Sequence, residues 1–105
     1  MKLIQAIVSN RDGSQIMEQL GKNDFIVTKL STTGGFLRKG NTTLLLVTDE
    51  ELVEKAIEII KNNSTKREPA GASEMAQQVE SQGGRTIMVG GAVIFVLDVE
   101  KFEKI

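Results

Sequence analysis

The sequence predicts an α+β domain, a ferredoxin-like βαββαβ sandwich, on three observations. Short aliphatic and β-branched runs recur at residues 3–8, 25–30, 42–47 and 86–97. Two segments between them carry apolar residues at helical spacing. Their order is strand, helix, strand, strand, helix, strand, the split arrangement that places two helices on one face of an antiparallel sheet. The chain of 105 residues and 11.5 kDa is read as a single domain over 1–105.

Residues 3–8 form the first strand, ended by the polar run Ser9-Asn10-Arg11-Asp12-Gly13. Ile16, Met17 and Leu20 then make one apolar stripe of a helix, with Gly21 where a helix commonly stops. Phe25 to Leu30 returns to extended character, and a short Gly-rich loop over 34–41 separates it from the strand Thr42 to Val47. Thr48 with Glu51 fits a capping box opening a second helix, whose apolar face is Leu52, Val53, Ala56, Ile57 and Ile60. From Lys61 to Arg85 the apolar content collapses into a long polar loop that supplies no core element. Within it Ser73 either caps a short helix with Met75, Ala76 and Val79 on one side, or the segment is a lid without fixed structure. Thr86 to Leu97 closes the domain as apolar strand, and Gly90-Gly91 is either a two-residue hairpin turn or a bulge.

Two helices cover one face of such a sheet. Thr43 to Val47 and Ile87 to Leu97 are aliphatic at both alternating parities, so the opposite face is apolar too. At ~25 cal/mol per Å², burying that face between subunits is a sufficient driving force for association, and a homo-oligomer with inward-facing sheets is expected.

Absences limit the chemistry. With no Cys and no His, a disulfide, a thiolate nucleophile, an ordinary zinc site and a His-based triad are excluded. The expectation is a protein that is not an enzyme and has neither metal nor cofactor. A net charge of −1 removes the electrostatic footprint of a general nucleic-acid binder, and four Phe without Trp or Tyr leave few rings for base stacking. No run reaches the ~18 apolar residues of a membrane span, and Met1 to Gln5 enters a strand pattern without a signal-peptide core. A cytoplasmic location is expected.

The segment Thr28 to Thr43 carries the chemistry. Gly34, Gly35 and Gly40 let a ligand approach the backbone, so that successive N–H groups form an anion nest, and Arg38 and Lys39 raise the local potential; alternatively they are turn glycines and solvated charges. Phe36 and Leu37 at the apex suit a flat apolar object such as a purine, a neighbouring subunit, or anchorage on their own domain. Asn41 reads a base edge or serves the turn. Asp49, Glu50 and Glu51 are best read as first-turn helix acids. Lys66, Arg67 and Arg85 either close over an anion or stay solvated. Residues 1–48 carry six cations against three anions, which places any anion site in the first half.

Thr32-Thr33-Gly34-Gly35-Phe36-Leu37 followed by Gly40-Asn41-Thr42-Thr43, with Met1-Lys2-Leu3-Ile4 and Gly90 to Leu97, resembles the cyclic di-AMP receptors of the PII-like signalling superfamily. The resemblance is close over 1–47, recognisable again over 90–102 and poor over 63–85. It implies a bacterial, non-catalytic, PII-like homotrimer that binds cyclic di-AMP in clefts between subunits. Thr28, Gly35, Phe36, Leu37 and Asn41 match ligand-contacting positions, and the phosphates would meet backbone N–H groups near Gly34 and Gly35, beside Arg38. Departures are Asp24 for the usual Asn, Ile26 for an arginine, Val47 for a frequent glycine, and Phe102-Glu103-Lys104-Ile105 for Phe-His-Gln-Phe. Ligand-driven ordering of 61–85 would relay the signal to a protein partner. The alternative is a divergent trimer that has lost cyclic di-AMP and binds another nucleotide or only a protein.

Overall fold

The computed structural model describes residues 1–30, 41–64, 72–81, 83–89 and 91–103; of residues 72–76 and 89 it describes the backbone alone. Strand β1 (Lys2–Ser9) passes directly into helix α1 (Asn10–Lys22), because the Ser9 hydroxyl accepts a hydrogen bond from the Asp12 N–H at 3.2 Å and caps the first turn. Helix α1 runs through Gly21 and stops beyond it. Asp24, at φ 68°, is the left-handed residue; its N–H bonds the Gly21 carbonyl and the Phe25 N–H bonds the Leu20 carbonyl, a complete Schellman closure. The sequence reading placed this stop at Gly21, the residue type that most often occupies the left-handed position. Here an aspartate takes it three residues later.

Strand β2 (Val27–Leu30) is followed by β3 (Asn41–Thr48), and the Gly-rich residues 34–40 between them lie outside the described residues. The expected capping box is absent. Thr48 is the last rung of β3, opposite Lys2, and the chain turns through a 3₁₀ segment, Glu50–Leu52, with no side-chain cap before α2 (Val53–Asn62). This rotates Leu52 out of the apolar face, leaving it 40% exposed, while Val53, Ala56, Ile57 and Ile60 are buried as the spacing predicts.

Helix α3 (Ala72–Ser81) forms within the polar segment, so of the two readings left open there, the short helix is the one observed, but it begins at Ala72, so Ser73 lies inside it and does not cap it. Strands β4 (Arg85–Val89) and β5 (Ala92–Asp98) pair antiparallel with Val89 opposite Ala92, so they are two strands of a hairpin and not one long bulged strand; Gly90 itself lies outside the described residues.

The five strands form one antiparallel sheet in the order β2-β3-β1-β5-β4. The first four keep the arrangement compatible with a ferredoxin-like sandwich, and β4 adds an edge strand. Even-numbered residues of the central strands (Ile4, Ala6 and Val8; Leu44 and Leu46; Ala92, Ile94 and Val96) meet Ile16 and Leu20 of α1 and the buried face of α2 in the main core. Odd-numbered residues make the other face. Register stacks them in rows: Val47, Leu3 and Leu97; Leu45, Gln5 and Phe95; Thr43, Ile7 and Val93. Ile7, Val93 and Phe95 form a second cluster against which Val79 of α3 and Leu97 pack. The polar segment therefore does contribute to packing: Val79 packs on part of the face that α1 and α2 leave open. Among the described residues no helix is long and apolar enough to cross a membrane.

Candidate functional site

The odd-numbered face holds, away from the Val79 contact, a groove of about 500 Å³. Its floor is Leu3 of β1 with Leu45, Leu46 and Val47 of β3; Ile26 and Thr28 bound it at β2, and Phe102, beyond the end of β5, contributes a ring. Thr28 lies directly opposite Leu45.

Of the residues singled out from the sequence, Thr28 lines this groove. Asn41 lies at the other end of β3, opposite Ser9, four residues before Leu45 on the same face, hence ~13 Å along the strand. Gly34, Gly35, Phe36, Leu37 and Arg38 lie outside the described residues, as do Lys66, Arg67 and Lys104. Ile26 and Val47, two of the positions at which the chain departs from the resemblance, both line the groove. Leu3 and Leu45 were legible only as strand residues of one parity; that they share a cavity follows from the pairing of β1 with β3. Near Thr28, at the next rung of the same face, the fully buried Thr43 hydroxyl has no hydrogen-bond partner among the described residues.

A second concavity, of about 300 Å³, lies between α2 and the β1-β5-β4 part of the sheet. Four of its charges form two ion pairs. Arg85, a candidate for closing over an anion, is held instead by the Glu54 carboxylate at 3.1 Å, and Lys2 pairs with Asp98. The hydrogen bond from Lys2 holds the Asp98 carboxyl below its ordinary value, and the same bond raises the Lys2 ammonium above its own, with the Asp98 and Glu50 charges adding to the effect. Among the described residues no group of three or more His, Cys, Asp or Glu is placed to hold a metal ion.

Among the described residues the apolar groove is a concavity with unused binding surface, one polar contact at Thr28, and a ring at its edge, the ordinary makeup of a small-molecule site. Comparison with known proteins agrees with a ligand-binding role. The chain is similar to a crystal structure of a protein of unknown function from Pediococcus pentosaceus, with 35% identity and a TM-score of 0.69 over 99% of this chain and 96% of that one. A model of cyclic-di-AMP receptors matches residues 1–105, the whole sequence, and the chain belongs to that family.

Proposed function

We propose that this protein is a non-catalytic receptor for a purine nucleotide second messenger, cyclic di-AMP first among candidates, and that it binds its ligand as a PII-like homotrimer in the cytoplasm without a resident cofactor. One observation carries the reading: residues 26, 28 and 47, which the family resemblance ties to the ligand, converge with Phe102 on one open groove of the sheet face opposite α1 and α2. A neighbouring subunit supplies the missing wall. The purine lies against Phe102, with Phe36 and Leu37 of the Gly-rich segment on its other side, Thr28 and Asn41 offering hydrogen bonds, and Gly34, Gly35 and Arg38 meeting the phosphates. The signal passes to a protein partner through the surface formed by residues 61–85, of which α3 is part. No membrane or nucleic acid takes part.

Titration calorimetry with cyclic di-AMP tests this. Binding is expected, and Phe102→Ala weakens it by about 5- to 150-fold, the worth of one base stacked on a ring. No heat at about 100 µM ligand removes cyclic di-AMP from the proposal. The apolar Ile26 favours a second reading, a divergent trimer that takes another nucleotide or only a protein. A thermal-shift panel of adenine and guanine nucleotides separates the two, because a ligand at 100 times its Kd adds about 2.7 kcal/mol of stability.

A further inference from the structure

Two residues to which the nucleotide reading gives no part stand directly behind Asn41. Thr42 follows it in β3 and shares the even parity of Leu44 and Leu46, so it faces α1 while Asn41 belongs to the opposite face. The Thr42 side chain is buried, and its hydroxyl donates a hydrogen bond at 2.5 Å to Oδ1 of Asn10, the first residue of α1. The backbone of the same helix turn lies against it: a Cβ on Gly13 would stand 3.5 Å from Thr42 Cβ and Cγ2.

This contact falls at the end of a ladder. The described β2–β3 pairing ends with Leu30 opposite Thr43, so Asn41 and Thr42 take their described strand partners from β1 alone, Ser9 and Val8. Pairing along one edge sets where a residue lies and leaves its twist about the strand axis less constrained. The bond from Thr42 to Asn10 fixes that twist from the helix side. Because successive side chains leave a strand on opposite faces, whatever turns Thr42 turns Asn41 with it.

We propose that Asn10 and Thr42 are positioning residues for the ligand: their hydrogen bond sets the orientation from which Asn41 meets the nucleotide, and neither touches it. This role rests on the purine-nucleotide reading above, which gives Asn41 a ligand contact and no means of orienting it.

Calorimetry with cyclic di-AMP, with thermal unfolding alongside, tests the pair in the parent and in an Asn41→Ala background. Thr42→Val keeps the β-branched shape and loses the donor; Asn10→Ala loses the acceptor at an exposed position. Each is expected to weaken binding about 3- to 10-fold, the worth of one neutral hydrogen bond, and the double variant to lose little more than either alone. Thr42→Ser, which keeps the hydroxyl, should bind within about twofold of the parent. With Asn41→Ala, Thr42→Val should change affinity by less than about twofold, since no ligand-facing side chain is left to orient. If Thr42→Val lowers Tm yet binds within about twofold of the parent, or costs as much affinity with Asn41→Ala as without it, the pair only stabilises the fold: this inference falls and the nucleotide reading stands. If the parent binds neither cyclic di-AMP at about 100 µM nor any nucleotide of the thermal-shift panel, both fall.

Discussion

Gly84 sets how closely α3 approaches the sheet. A Cβ there would stand 2.5 Å from Val79 Cγ1, 3.1 Å from the Val79 carbonyl and 3.3 Å from the Val96 carbonyl. The valine methyl belongs to a side chain stiff at χ1 and packed on Ile7, Val93 and Phe95, and the two carbonyls are backbone, so nothing yields cheaply. Gly84→Ala is therefore expected to cost about 1–3 kcal/mol, read as a fall of about 4–8 °C in Tm for each kcal/mol. Gly21 gives the opposite result. It lies inside α1 with nothing within 4 Å of a Cβ and no positive φ, so Gly21→Ala raises stability by about 0.5–1 kcal/mol in the same thermal scan. A fall in stability on that change would restore Gly21 as the residue that ends the helix. The sequence could not show that Asp24 does so instead, because a non-glycine residue at φ 68° is held by the two closing hydrogen bonds and the burial of Phe25, none of which leaves a composition signal.

At the scale of elements, the two helix starts differ in how they were legible. Ser9 appeared in the sequence only as part of a polar run ending a strand, yet its hydroxyl caps α1; the Thr48-Glu51 spacing matched a capping box, yet α2 begins without one. The cause is tertiary: Thr48 is committed to β3 opposite Lys2 and its side chain is buried, so its hydroxyl is not free to serve a helix three residues on. Ser9→Ala is expected to cost about 0.5–2 kcal/mol in denaturant unfolding, and Glu51→Ala to stay within about 0.5 kcal/mol of the parent. Equal losses would mean that the box forms after all. Apolar periodicity was the dependable signal. It located β1, β3, β5 and the buried face of α2, because burial on a pleat or a helix selects for side-chain type at every second or every third to fourth residue. Helix α3 was legible only as one of two alternatives, since Val79 is its sole described contribution to the packing and polar residues fill most of its length.

For the whole molecule, the decisive feature is the face opposite α1 and α2. Its two-sided apolar pattern was legible in β3 and β5 from the sequence; that α3 would pack on part of the face was not, because no composition rule fixes where a short polar helix docks. What remains open is the strip from Val47 and Leu3 to Leu45 and Thr28, which contains the groove. If copies of the chain close over that strip, Leu45, half-buried and flanked by Gln5 and Thr28, is close to the centre of the contact. In a separate subunit Leu45→Arg keeps its guanidinium in water and leaves the core of Ile4, Leu44 and Ile94 untouched. In an assembly the same guanidinium loses water without a carboxylate to meet it, a penalty of several kcal/mol per site. Sedimentation equilibrium should then give a multiple of 11.5 kDa for the parent and 11.5 kDa for the variant, with unchanged far-UV circular dichroism in the variant and loss of any nucleotide binding that needs the second subunit's wall. A parent that sediments as one subunit at micromolar concentration, and binds ligand in that state, would show the groove to be complete within a single chain.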